Sequence, residues 1–186
     1  MPTARTFLVA IILAVAGLGT WLIVTNDDPR TTPTSASPTP TTVVPIPARI
    51  VTPDELSGLA ADLGYPAYWL GERPGQQVEW TLRPDGAAIV RYLPGGATPG
   101  DPGTFLSVAS YPLANATDVV DQGGQRPGAL SDVLPGDART TTASAEATNA
   151  YFAAPDEQVL VEVYTPDPGE AYTLIRRGQL VMVPQP

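Results

Sequence analysis

The chain has 186 residues, contains neither cysteine nor histidine, and draws all ten of its basic residues from arginine. This composition excludes thiolate nucleophiles, imidazole bases, Schiff-base lysines, disulfides and metal sites built from cysteine or histidine. The formal net charge of -9 argues against a nucleic-acid surface, which needs many cationic contacts to phosphates. We therefore predict no cofactor, no metal and no nucleic-acid partner, and we do not expect an enzyme.

The first element in chain order is an uncharged, strongly apolar segment, residues 6–24. A helix needs roughly 20 such residues to cross a bilayer, so we predict a transmembrane helix in contact with the lipid bilayer. Arg5 precedes it, and the positive-inside rule then predicts a cytoplasmic tail of residues 1–5 and an extracytoplasmic remainder at the plasma membrane. The alternative is secretion after cleavage near Ala16, within "AVA". Hydrophobicity that continues to Val24 favours the uncleaved anchor.

A segment rich in threonine and proline follows, residues 25–48, with "TTPTSASPTPTTVVPIP" as its densest part. Such a segment has too little apolar area to offset the entropy lost on ordering, and its prolines favour extended conformations. We predict a disordered linker that holds the next domain away from the membrane.

Residues 49–186 alternate apolar runs with turn signals over the length of one domain. We predict an α+β fold with an antiparallel sheet and two or three helices. The opening "TPDELSGLAADLG" has the signature of a helix start: Thr52 as N-cap, Pro53 at the first helical position and Glu55 completing a capping box. Four apolar residues then line one face of this helix, and Gly64 ends it: Leu56, Leu59, Ala60 and Leu63.

The next stretch, "QQVEWTLRPDGAAIVRYLP", has the pattern of a β-hairpin. A three-residue turn with Gly86 in the left-handed region fixes its register. That register sets Glu79 opposite Arg91 on the face that should be polar. On the apolar face it predicts the following pairs: Val78 with Tyr92, Trp80 with Val90, and Leu82 with Ala88.

The second half of the domain repeats the order of elements in the first half. Residues 76–123 and residues 138–178 both read as three strands followed by a helix, and in both a tyrosine and a proline close the third strand. We predict a duplicated strand-strand-strand-helix unit, tested by superposing the two ranges.

Carboxylates are the ionisable groups that could serve acid–base chemistry, but most have a structural role in the pattern. We assign Asp167 as an N-cap, Glu170 as a capping-box partner, and Asn115 as the N-cap of the middle helix. A glycosidase needs two carboxylates that face each other across one cleft. The remaining candidates show no motif that would pair them in this way: Glu72, Asp101, Asp132 and Glu162. We therefore predict no catalytic residue.

Three aromatic residues in "YPAYWLGERPGQQVEW" are the candidate ligand platform: Tyr65, Tyr68 and Trp69. Exposed aromatic rings of this kind stack on sugars in carbohydrate-binding modules. With three phenylalanines in the chain, the domain also needs its tyrosines and tryptophans inside, because both residue types are highly buried on average. We favour a position in the core, and the platform remains the alternative.

The domain resembles known proteins in five stretches of its sequence: "TPDELSGLAADLGYPAYWLG", "RPGQQVEWTLR", "VRYLPGG", "VASYPL" and "VLVEVYTPDPGEAYTLIRRGQL". On these the domain resembles a group of uncharacterised, membrane-anchored extracytoplasmic proteins of actinobacteria. The resemblance implies no activity and carries no functional residue over to this chain.

The sequence as a whole predicts a single-pass membrane protein whose acidic extracytoplasmic domain binds a partner protein or a cell-wall component. The alternatives are a glycan-binding module of the cell envelope and a carboxylate-dependent hydrolase. A further alternative is a structural, duplicated domain that dimerises through a sheet edge or through Ala10 and Ala14 of the predicted span, and the oligomeric state stays open.

Overall fold

The computed structural model describes residues 44–186. Within this range the helices are α1 (Pro53–Ala61), α2 (Ala116–Gly124) and α3 (Glu170–Arg176), with a 3-10 turn at Pro135–Asp137. The strands are β1 (Ile46–Val51), β2 (Tyr68–Trp69), β3 (Gln76–Leu82), β4 (Ala88–Pro94), β5 (Ser107–Pro112), β6 (Leu130–Val133), β7 (Arg139–Thr142), β8 (Asn149–Ala153), β9 (Val159–Tyr164) and β10 (Val181–Met182).

The main sheet has eight strands in the order β1-β3-β4-β5-β9-β8-β7-β6, and every pairing in it is antiparallel. A separate two-stranded sheet pairs β10 with β2. The predicted α+β class, an antiparallel sheet with two or three helices, is confirmed by the three helices of residues 44–186. No helix within residues 44–186 is long and apolar enough to cross a membrane. The predicted transmembrane helix and cytoplasmic tail lie outside the described residues.

The predicted boundary between linker and domain is wrong by a few residues. We assigned residues 25–48 to the linker, but β1 begins at Ile46 and pairs with β3. The prolines on either side of Ile46 made this stretch resemble the linker. An edge strand nevertheless tolerates proline, because the backbone groups on its outer side need no partner strand. The rest of the predicted linker, up to residue 43, lies outside the described residues.

The hairpin of β3 and β4 forms in the predicted register. Val78 lies opposite Tyr92, and Trp80 lies opposite Val90. Gly86 has a φ of 82°, the left-handed conformation that the turn needs. Turn chemistry and apolar alternation therefore suffice to fix this register.

The opposite face of the hairpin differs from the prediction. Glu79 forms the predicted ion pair with Arg91 at 2.8 Å, but its side chain is buried and not in solvent. The loop between β4 and β5 covers it, and the backbone N–H of Gly100 donates to the second carboxylate oxygen at 2.6 Å. The alternation of apolar and polar residues predicted that Glu79 and Arg91 pair. The sequence of the loop has no periodic pattern, so the position of the loop over Glu79 could not be predicted.

The helix ends confirm the predicted N-cap positions of Thr52 and Asn115 and correct the one predicted at α3. Thr52 and Glu55 form the predicted capping box. The side chain of Asn115 makes no capping hydrogen bond at α2. The residue that precedes α3 is Gly169, with a φ of 76°, so the assignment of Asp167 as N-cap and Glu170 as its capping-box partner is wrong. A left-handed glycine turns the chain into the helix two residues later than the pattern indicated.

The two faces of the main sheet carry separate cores. Trp80, Val90 and Val108 lie on one face, in a cluster that also includes Leu56 of α1 and Ile175 of α3. The other face is covered in part by α2, through a smaller cluster with β8 and β9.

The order of strands is symmetric about the central β5–β9 pair, with β4 and β3 on one side and β8 and β7 on the other. The helices do not share this symmetry, because α2 and α3 both pack mainly on β7, β8 and β9. That the strands of the first half superpose on those of the second half stays a prediction.

Candidate functional site

A cleft of about 880 Å³ opens between the end of α3, β10, the β6–β7 connection and the β8–β9 turn. Its apolar lining includes Tyr68, Phe152, Ile175 and Leu180. The rings of Tyr68 and Phe152 are in contact, with centroids 5.3 Å apart. The volume lies within the range of roughly 300–1,000 Å³ that is typical of ligand sites.

The rim of the cleft exposes two large apolar side chains. Val181 is 43% exposed and Met182 is 42% exposed, although both lie in β10. A methionine on an open rim can adapt its shape to different apolar partners. The rim therefore extends the apolar lining outward, as expected of a site that receives an apolar group.

Charged groups lie at separate places on the same cleft. Arg177 follows the last turn of α3 and is exposed, and Asp156 is exposed in the β8–β9 turn. The neighbouring Arg176 is already bound, through an ion pair with Asp132 at 2.6 Å and a stacking contact with Tyr172. The cleft thus offers both signs of charge around an apolar floor.

The β8–β9 turn has an unusual backbone. Asp156 and Gln158 have φ values of 65° and 52°, in the left-handed region that side-chain-bearing residues rarely occupy. Between them, Glu157 accepts a hydrogen bond from the Tyr68 hydroxyl at 2.5 Å. Burial raises the pKa of Tyr68, and the bond to Glu157 raises it further, so this hydroxyl keeps its proton and acts as a donor. The bond fixes the turn against the floor of the cleft.

A second polar cluster lies on the opposite face of the main sheet, around Glu162 of β9. Its carboxylate accepts hydrogen bonds from the Tyr111 hydroxyl at 3.0 Å, the Tyr151 hydroxyl at 3.3 Å and the Asn149 amide. Burial, and then the negative charge of Glu162, raise the pKa of both tyrosines. Two neutral phenols and an amide therefore surround one carboxylate.

Sequence reasoning missed this cluster, since Glu162 showed no motif. The signal that could have found it is the register of the β8–β9 hairpin, which sets Tyr151 directly opposite Glu162. The turn that sets this register has two residues other than glycine in the left-handed region, Asp156 and Gln158. The sequence therefore lacks the usual glycine signal for the turn, and the pairing could not be predicted from it.

The three residues of the candidate ligand platform do not lie together on the surface. Tyr68 and Trp69 are 6% and 7% exposed, within the core, as the favoured interpretation predicted. Tyr65 is partly buried, and its hydroxyl donates to the carbonyl of Gly86. Burial raises the pKa of Tyr65 to about 12. These three residues therefore do not form an exposed surface on which a sugar could stack, and the alternative of a ligand platform is wrong. Of the three, Tyr68 lines the cleft.

Burial of Trp69 predicts weak quenching by acrylamide. A fragment of residues 44–186 contains two tryptophans, Trp69 and Trp80, and both are buried. We expect the emission of the folded fragment to be quenched far less than that of the urea-unfolded fragment, with and without the Trp69→Phe substitution. A readily quenched component that disappears in Trp69→Phe would show instead that the Trp69 indole is exposed.

No group of three or more carboxylates within the described residues could hold a metal ion. Comparison with known proteins adds no further assignment: no protein family, curated protein or solved structure was found to match the chain. The resemblance to actinobacterial extracytoplasmic proteins stays a prediction.

Proposed function

We propose that the chain is a single-pass plasma-membrane protein, anchored through residues 6–24, whose extracytoplasmic domain binds a partner protein or another component of the cell envelope. The apolar amino-terminal segment supports the anchor, and Arg5 before it supports the orientation. Secretion after cleavage near Ala16 is the alternative, which amino-terminal sequencing of the mature protein distinguishes.

One observation carries the binding role: the apolar cleft and its exposed rim of Val181 and Met182. Most apolar residues of this domain are packed inside, whereas these two side chains extend an apolar surface toward solvent. Contiguous apolar surface at a concave site is characteristic of interaction sites. We expect an apolar group of the partner to occupy the cleft.

The test compares the full-length chain with the double variant Val181→Asp/Met182→Asp in capture experiments from envelope extracts. Two carboxylates on the rim would have to be desolvated by an apolar partner, so we expect recovery of the captured component to fall by roughly tenfold or more. The matched control is Val44→Asp, at a valine that is 74% exposed outside the cleft. Equal recovery with the rim variant and the control would remove the cleft from the proposal.

A glycan-binding module is the second candidate function, supported by a different place on the domain. Glu162, Asn149, Tyr111 and Tyr151 combine a carboxylate, an amide and two phenols on a partly open sheet face. These groups can form hydrogen bonds with sugar hydroxyls. If this face binds glycan, Tyr151→Ala is expected to abolish binding to purified envelope polysaccharide while the rim variant retains it.

A carboxylate-dependent hydrolase has weaker support. Asp156 and Glu157 both line the cleft, but they are consecutive residues of one turn. A glycosidase places its two carboxylates on either side of the scissile bond. We therefore favour binding over hydrolysis at this cleft.

We also propose that the strands of the two halves arose by duplication, with the helices placed independently. The symmetric strand order about the β5–β9 pair supports this. Failure of β3, β4 and β5 to superpose on β7, β8 and β9 would contradict it.

A further inference from the structure

The two outer edges of the main sheet are built differently. At one edge, β1 carries Pro47, and Pro45 precedes it. Proline cannot donate a backbone hydrogen bond, so it blocks the addition of another strand. At the other edge, β6 has no proline and exposes Leu130 and Val133, at 39% and 64%. Pro135 lies beyond the residues that form the ladder with β7, so β6 itself lacks this protection against pairing.

The ladder between β6 and β7 determines which backbone groups face outward. Leu134 continues β6, and its N–H donates to the carbonyl of Ala138 at 2.9 Å. In an antiparallel pair the bonded positions alternate, so Asp132 bonds toward β7 and the N–H and C=O groups of Ser131 and Val133 point outward. The outer edge thus presents two spaced pairs of donors and acceptors.

The strand that carries these groups is held in place on both faces of the sheet. On one face, α2 packs closely, because a Cβ added to Gly124 would lie 2.8 Å from the Cβ of Ser131. On the other face, the carboxylate of Asp132 binds the Tyr172 hydroxyl and the Arg176 guanidinium of α3. A rigid edge loses little entropy when another strand pairs with it.

We propose that the outer edge of β6 receives an extended segment of a partner protein as an additional antiparallel strand, with a basic residue opposite Asp132. The inference rests on the proposed function, since it names how a protein partner binds beside the cleft. Leu134 and Pro135, which follow β6, line that cleft. One partner segment can therefore pair with the edge while a neighbouring apolar side chain enters the cleft.

Charge favours a basic partner over a second copy of the chain. The chain has a formal net charge of -9, so two copies repel each other. The symmetric register that uses both Ser131 and Val133 also sets the two Asp132 residues opposite each other, and like charges in this position destabilise a sheet. Both contacts of the Asp132 carboxylate use Oδ2, which leaves Oδ1 to accept from an incoming arginine.

The test uses a synthetic, end-capped, fluorescent heptapeptide, Thr-Val-Val-Arg-Thr-Val-Thr, and the full-length chain in detergent. In the proposed register the third and fifth peptide residues donate to the edge, whereas the N–H of the fourth points away. We expect fluorescence anisotropy to show binding of the peptide at micromolar to millimolar concentrations of the chain. The affinity should fall by roughly tenfold or more when the third and fifth amides are N-methylated. Methylation of the fourth amide is the matched control and is expected to preserve binding.

Two further comparisons identify the surface. Glutamate in place of the peptide arginine is expected to weaken binding because it faces Asp132. Val133→Pro removes an outward N–H while leaving the β6–β7 ladder intact, and is expected to abolish binding; Val133→Lys serves if the proline variant does not fold. Absence of binding at millimolar chain, or equal effects of the two methylation patterns, would overturn the proposal.

The capture experiment separates the failure of the edge proposal from the failure of the proposed function. If Val181→Asp/Met182→Asp loses the captured envelope component while the edge variants retain it, the cleft binds a partner without strand addition. In that case the edge proposal fails and the proposed function stands. If the heptapeptide binds the edge but the rim variant still captures the envelope component, the cleft proposal fails instead.

Discussion

Replacing Arg91 with methionine is expected to lower the free energy of unfolding by about 3–5 kcal/mol, because it leaves the buried carboxylate of Glu79 without its cation. The side chain of Glu79 is 1% exposed and that of Arg91 is 21% exposed. The guanidinium also donates to the carbonyls of Asp101 and Gly103, and lies over the ring of Phe105. One substitution thus removes the ion pair and the support of the loop that covers it.

Urea unfolding followed by tryptophan fluorescence measures this effect. The matched control is Arg83→Met, which removes an ion pair with Asp85 of the same 2.8 Å length between side chains that are 36% and 51% exposed. An exposed pair contributes about 0–1 kcal/mol, so the control should be nearly neutral. The double variant Glu79→Met/Arg91→Met should be less destabilised than Arg91→Met alone. Similar small losses for Arg91→Met and Arg83→Met would contradict the burial of Glu79.

Gly169→Ala is expected to destabilise the domain by about 3 kcal/mol through two separate effects. Its φ of 76° is unfavourable for alanine by roughly 1–2 kcal/mol. An added Cβ would also lie 2.6 Å from the carbonyl oxygen of Ala145, and relief of such a clash costs about 1–3 kcal/mol. Since Gly169 directly precedes α3, the shift should also move Ile175 and Arg177 at the cleft.

Gly71→Ala separates the two effects. Gly71 has a comparable φ of 68°, but a Cβ added there meets no atom within 4 Å. We expect this control to lose about 1–2 kcal/mol, from the backbone conformation alone. Thermal unfolding of both variants gives the comparison, and an equal loss at the two glycines would show that the backbone at Ala145 adjusts freely.

The parts of the fold that local rules determine could be predicted from the sequence. The capping box at Thr52 and Glu55 and the turn at Gly86 each depend on neighbouring residues, and both form as predicted. Alternation placed Trp80 inside and set Glu79 opposite Arg91. These inferences need no knowledge of distant segments.

The parts that depend on distant contacts could not be predicted. Whether Glu79 is buried depends on a glycine- and proline-rich loop with no periodic pattern. The short strands β2 and β10 pair across more than a hundred residues, and that pairing places Val181 and Met182 beside Tyr68 at the cleft. With two residues in each strand, neither has enough sequence to show a period. The candidate site therefore emerged from the structure.

Site-specific photo-crosslinking in the cells that produce the chain tests whether the cleft binds an envelope partner. A photoreactive phenylalanine derivative would replace Met182 on the rim and, as a control, Arg49, which is exposed on β1 at the opposite edge of the sheet. We predict a discrete covalent adduct from position 182 and none from position 49. No adduct from position 182, or the same adducts from both positions, would show that the cleft does not bind an envelope partner.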